Sequence, residues 1–266
     1  MTANTQTISR HVVSEAYPVL RDFDRQAAEV LRSFNTWAFK RQQPTEPAML
    51  EQTVALRIWQ GKPISFVLYW GKGPRATAAS PDLTCLDYLA SMGARIGSAY
   101  APGAQFHLCL TDTHAKLNGH SESAIASYFG NIARAASDRG MSCARLGQIV
   151  STAPPCLLPQ PAPDEAMLTL LERSAARWYR GGADVREGAR TYLAMNHVES
   201  AAVATHYKGC IFLTFNGRDH RALFPASMPV FYMYSLRRGT AVKPWFMDES
   251  ALPYDDAEGR RGKPLA

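Results

Sequence analysis

The sequence predicts an α/β fold in which a largely parallel sheet is flanked by helices, with further helices added in the N-terminal and C-terminal parts. Three observations point there. Ile64–Trp70 is a short β-branched and aromatic run bounded by Pro and Gly, which is the pattern of a strand buried on both faces. Ala104–Thr111 alternates cleanly, with Phe106, Leu108 and Leu110 on one face and His107 and Cys109 on the other. Helical periodicity follows each of these strands, and strand–helix alternation at this spacing calls for parallel crossovers.

In chain order, residues 11–40 carry apolar positions at helical spacing, among them Val19, Phe23, Ala27, Val30, Phe34 and Trp37. Thr45 is placed to cap a second helix with Pro47 in its first turn, running to about Gln60 and stopped by Gly61. Residues 1–61 thus form an N-terminal helical part. Ser80-Pro81-Asp82 joins a capping serine, a first-turn proline and a first-turn acid ahead of a helix through Leu83, Leu86, Leu89, Met92 and Ile96. Ser121-Glu122 opens another helix, with Ile125, Tyr128, Phe129 and Ile132 inward and Gly140 as its stop. Five prolines between Ser151 and Pro163 mark a loop. Helical patterns at 164–180 and about 185–207 precede apolar strands at Cys210–Phe215 and Val230–Tyr234, which are placed to extend the first sheet. Residues 1–266 read as one α/β domain, with 253–266 as a flexible tail.

Composition excludes several classes. Of 266 residues, 46% are hydrophobic and 20% charged, which rules out disorder and low complexity. The net charge of +6 is spread along the chain without a block of like charges, and basic–aromatic RNA-binding motifs are missing. Nucleic acid is therefore not the expected partner, and an anionic small molecule suits the balance. Five scattered cysteines form neither a disulfide framework nor a zinc spacing. No stretch approaches a membrane span, and the expected location is cytoplasmic.

Three loops carry residues suited to chemistry. Gly71-Lys72-Gly73-Pro74-Arg75 follows the first strand, where open α/β sheets bind ligands, and combines backbone N–H access with two cations. It is neither a Walker A loop nor GxGxxG, and a tight turn with solvated cations is the plain alternative. Asp112 and His114 stand just past the second strand, a carboxylate and an imidazole two residues apart that suit proton transfer. Asn216-Gly217-Arg218-Asp219-His220-Arg221 offers Arg218 and Arg221 for bidentate anion contacts, or is simply a polar turn. Glu199 and His206 lie seven residues apart on one helix face, but a third metal ligand and HExxH are missing, so no metal is expected. There is no GxSxG elbow either.

Taken in order, these segments resemble the isonitrile (isocyanide) synthase family, which includes the spore-wall dityrosine-formation proteins. That family ends a buried strand with F-P-x-K-S-P-N, and Tyr69-Trp70-Gly71-Lys72-Gly73-Pro74-Arg75 keeps the lysine and the proline. Pro81-Asp82 matches its helix-opening Pro-Asp, while Tyr100-Ala101-Pro102-Gly103-Ala104 and Thr111-Asp112-Thr113 match its Tyr-x-Pro-Gly-Ala and Ser-Asp-Gly. The resemblance is densest from Lys62 to Ile132. The C-terminal half departs: an arginine and two histidines of the family stand here as Phe212, Asn216 and Phe246.

The resemblance implies a Rossmann-like enzyme that condenses the amino group of an aromatic L-amino acid with ribulose 5-phosphate to form an isonitrile, without metal or redox cofactor. For that chemistry Lys72, Asp112 and His114 are the candidate catalytic residues, Asp112 and His114 as proton carriers or ligands for sugar hydroxyls and Lys72 either gripping phosphate or polarising the carbonyl. Gly71, Gly73 and Arg75 would form the phosphate cradle with Lys72, and the polar cluster read above from the residues adds Arg218 and Arg221 as substrate- or phosphate-binding candidates. A different C–N or C–C bond-forming reaction on the same scaffold is the alternative enzyme. A non-catalytic phosphometabolite- or nucleic-acid-binding protein is the alternative from another class.

Overall fold

The computed structural model describes residues 25–34, 43–71, 78–154, 164–175, 179–233, 235–237 and 240–242. The sequence-based expectations for Lys72, Gly73, Arg75, Phe246 and the 253–266 tail lie outside them.

Five strands form one sheet: β1 (Ile64–Trp70), β2 (Ala104–Leu110), β3 (Ser142–Arg145), β4 (Ile211–Thr214) and β5 (Val230–Tyr232). Their order is β3-β2-β1-β4-β5, and every neighbouring pair is parallel. This is the Rossmann-like arrangement, with the strand order reversing at β1 and all carboxyl ends on one edge. A separate antiparallel pair, β6 (Ser235–Arg237) and β7 (Thr240–Val242), follows.

The helices cover both faces. Helix α1 occupies residues 25–33, α2 is Pro47–Trp59, α3 is Ser80–Ala99 and α5 is Glu122–Ser137, with the short α4 (Asp112–Leu117) between the last two. Phe66, Leu68, Trp70, Phe106, Leu108 and Leu110 are buried with Phe34, Val54, Leu89 and Phe129 in one core. On the opposite face, α6 (Leu146–Thr152), α7 (Glu165–Ala175) and α8 (Val185–His206) pack over Val67, Cys109, Phe212, Val230 and Tyr232. The alternation predicted for β2 therefore sorts its side chains between two cores. Among the described residues no helix is long and apolar enough to cross a membrane.

Local chemistry explains the boundaries. Gly61 (φ 63°) and Gly140 (φ 71°) take the left-handed conformation that ends α2 and α5, as expected. Ser121 caps α5 by accepting the Ala124 N–H at 3.3 Å. The start of α2 differs from expectation: Glu46 is its N-cap, and the Thr45 hydroxyl donates to the Glu46 carboxylate at 2.5 Å instead of capping the helix. Pro47 at the first helical position removes only its own N–H, so the helix starts one residue later than a Thr45 cap would place it and without a side-chain cap. At α3 the N-cap is Ala79, one residue before the predicted serine, and its N–H donates to Asp82 Oδ2 at 2.9 Å. Asp82 is buried and also accepts from the Tyr128 hydroxyl at 3.0 Å, while the Trp70 indole N–H reaches that hydroxyl at 3.4 Å. One carboxylate thus ties α3, α5 and β1 together.

Candidate functional site

The carboxyl edge of the sheet collects the residues with chemistry. At the end of β1, the Trp70 carbonyl accepts both the Thr111 N–H and the Thr111 hydroxyl at 3.1 Å. This clamps the exits of β1 and β2 together. A Cβ on Gly71 would sit 2.5 Å from Thr111 Oγ1, so the clamp has room only for glycine. Lys72, Gly73 and Arg75 continue that loop outside the described residues.

Past β2 the expected polar loop is the short helix α4, which starts at Asp112 itself. Asp112 is buried, and its Oδ1 accepts the Gly147 N–H at 2.9 Å. The carboxylate satisfies one of the free N–H groups in the first turn of α6, joining the segments after β2 and β3.

Two residues further on, His114 Nε2 lies 2.7 Å from Glu199 Oε2 on α8, and the Thr113 hydroxyl donates to Glu199 Oε1 at 2.6 Å. The side chains of His114 and Glu199 are 13% and 4% exposed, so the contact is shielded from solvent. The rings of Tyr69 and Tyr192 stand edge-on to the imidazole at 5.9 and 4.9 Å, and Tyr69 also packs edge-on against Phe212 at 5.0 Å. Burial, and then neighbours that include Glu199, push the Tyr69 and Tyr192 phenols above their usual range. Both therefore stay protonated at neutral pH. The Tyr69 hydroxyl and the Asn196 amide nitrogen are buried without a hydrogen-bond partner. Asn196 lies one helical turn from both Tyr192 and Glu199 on α8.

The structure thus brings Asp112, His114 and Gly71 to one edge and adds Glu199, Thr113, Tyr69, Tyr192 and Asn196. Glu199 is not joined to His206: it faces the sheet edge, whereas His206, at the exposed end of α8, stacks edge-on against Tyr207 at 4.7 Å. Arg218 and Arg221 lie on a 3-10 turn (Arg218–Leu223) after β4. The Arg221 guanidinium pairs with Glu46 at 2.8 Å and donates to the carbonyls of Phe224 and Ala226 at 3.2 and 3.3 Å. Its contacts are with its own fold, while Arg218 is solvent-facing. Phe212 is buried in the core. Among the described residues no group of three His, Cys, Asp or Glu side chains is arranged to hold a metal.

No protein-family model matches the sequence, and no curated protein matches it. Among solved structures, the PvcA protein from Pseudomonas aeruginosa superimposes with a TM-score of 0.59, covering 83% of this chain and 87% of its own, at 16% sequence identity. The chain shares the fold of PvcA. The tyrosyl-tRNA synthetase complexed with L-tyrosine from Archaeoglobus fulgidus reaches only 0.39, at 12% identity over 80% of this chain and 70% of its own. The PvcA match agrees with the α/β, largely parallel architecture expected from the sequence.

Proposed function

We propose that the chain is an isonitrile-synthase-like biosynthetic enzyme that condenses the amino group of an aromatic L-amino acid with ribulose 5-phosphate. The observation that carries this reading is the placement of the motif-bearing segment. Its Asp112 and His114 lie at the carboxyl edge of a parallel sheet beside the strand order reversal, and His114 is backed by a buried carboxylate. That edge is where open α/β sheets take ligands.

The chemistry makes three demands. The amine must be unprotonated when it attacks the ketone, and the resulting carbinolamine must lose water to become an imine. In this reading His114 takes and returns these protons. The sugar phosphate needs cations, a role for Lys72 and Arg75 with the glycine N–H groups, Lys72 acting either there or on the carbonyl. An aromatic side chain needs apolar walls with few polar anchors, and the half-buried Tyr69 and Tyr192 stand beside the unpaired Tyr69 hydroxyl and Asn196 amide.

One observation favours a second reading. Phe212 stands on β4 in contact with Tyr69, at a position where the resembled family carries arginine. Losing a cation there favours a different C–N or C–C bond-forming reaction on the same scaffold. Incubation with pooled amino acids and carbon-13-labelled ribulose 5-phosphate, followed by mass spectrometry, separates the two. A labelled isonitrile supports the first reading and a different labelled adduct the second. Unchanged substrates together with no binding by calorimetry exclude both.

A further inference from the structure

We infer that Glu199 is a positioning residue that fixes the tautomer of His114, holding the proton on Nε2 and leaving Nδ1 as the basic nitrogen. Nothing in the spacing of the sequence pairs these two residues. The inference follows from hydrogen-bond capacity. An ionised carboxylate only accepts, so the 2.7 Å contact requires Nε2 to be the donor. Glu199 Oε1 is already engaged by the Thr113 hydroxyl at 2.6 Å, on the residue next to His114. Both carboxylate oxygens are therefore committed, and the carboxylate cannot turn to offer the imidazole a different contact.

The surroundings sharpen the assignment. The edges of Tyr69 and Tyr192 set the plane of the imidazole. Among the described residues Nδ1 has no hydrogen-bond partner. In the neutral ring its lone pair is then the one site from which a proton can be accepted. A donor at Nε2 and a bare Nδ1 make a base of defined direction, in the same way that a buried carboxylate orients histidine in hydrolytic triads. That the proton accepted at Nδ1 comes from substrate rests on the function proposed above; the tautomer itself does not.

The test uses the full-length protein labelled with nitrogen-15, observed through long-range proton–nitrogen correlations of the imidazole rings at mildly alkaline pH. The His114 signals are those missing from His114→Asn. In the wild type we expect a protonated Nε2 and a bare Nδ1. Glu199→Ala should give a mixture of tautomers. Glu199→Gln, which keeps the packing but offers one acceptor to two donors, should fall between. A wild-type ring protonated at Nδ1, or an unchanged tautomer in Glu199→Gln and Glu199→Ala, overturns the inference. The wild-type spectrum alone decides if the alanine variant does not fold. In the turnover assay, Glu199→Gln should lower kcat by about 10²-fold or more with KM little changed. Wild-type protein that shows the Nε2 tautomer but turns over no amino acid with ribulose 5-phosphate defeats the proposed function and leaves the tautomer standing.

Discussion

Glu199 on α8 and His114 on α4 meet at 2.7 Å across 85 positions of sequence, and Thr113 supplies the second hydrogen bond to the same carboxylate. Removing His114 leaves this shielded carboxylate with the Thr113 hydroxyl alone, at a cost of about 1.5–3 kcal/mol, the worth of a hydrogen bond to a charged group. His114→Ala should therefore lower the midpoint of urea denaturation clearly, and the double variant His114→Ala/Glu199→Gln should recover part of the loss. Additive losses would mean that the two side chains do not interact.

Asp112 has a structural duty beside any chemical one, since it accepts the Gly147 N–H at 2.9 Å. Asp112→Asn keeps a carbonyl acceptor there and should cost less than about 1 kcal/mol, whereas Asp112→Ala should cost about 1–2 kcal/mol, as lost helix caps do. Under the proposed function, Asp112→Asn lowers turnover far more than stability. Thermal melts beside initial rates check both halves, and a variant with a lower Tm but normal specific activity would confine Asp112 to its structural role.

The Gly71 clamp predicts a coupled pair. Gly71→Ala forces Thr111 to move its hydroxyl off the Trp70 carbonyl and should destabilise the fold by about 1–2 kcal/mol. In a Thr111→Ala background the same change should cost less, because the clashing oxygen is gone. Denaturant titrations of the two single variants and the double variant read the coupling; strict additivity would contradict the predicted clash.

Burial pushes the Cys109 thiol up to about 12 and the Cys143 thiol up to about 11, from an ordinary 9.0. Iodoacetamide at mildly alkaline pH should spare Cys109 in the native protein and modify it after denaturation, as peptide mass spectrometry would show. The unfolded chain gives up these protons first, so stability is retained below about 9 and falls as the pH rises from there toward 12. Rapid native labelling of Cys109 would contradict its burial.

His107 shows the opposite sign. Burial first, then Arg57 and His206, hold its imidazole below the usual 6.5. The unfolded chain binds this proton more readily, so the contribution works against the fold as the pH falls below about 6.5 and vanishes above it. The decline in Tm on mild acidification should be shallower in His107→Gln than in the wild type, and equal slopes would remove His107 from the pH response.

What could be read in the sequence is what repeats locally. Strands β1 and β2 and helices α3, α5 and α8 carry enough turns or alternations to declare a period, and their observed spans lie close to the expected ones. Strand β3 leaves no signal in the sequence, because Ser142–Arg145 is a four-residue edge strand with one exposed and three half-buried positions and no apolar alternation. Helices α4 and α6, with six and seven residues, are too short to show a face. Asp112 and His114 drew attention through residue type and position after a strand. Sequence spacing pairs Glu199 with His206, because neighbours along one helix show in sequence whereas a partner on another segment does not. Nothing local in the sequence shows that the Tyr69 hydroxyl and the Asn196 amide end up buried and unpaired, because that depends on how α8 packs against the end of β1.

The place of β4 beside β1, with Phe66 opposite Ile211, bears on the order in which the molecule assembles. The unit from β1 through β3 is built from segments that follow one another, so its contacts close short loops, whereas α8, β4 and β5 must return from far along the chain. His114 belongs to the early unit and Glu199 to the late one. Native-state hydrogen exchange should accordingly find amides of β2 and α5 that remain protected in partly opened forms from which α8 has already detached. In those forms the imidazole has no partner to choose its tautomer, so the directed base exists only in the fully assembled chain.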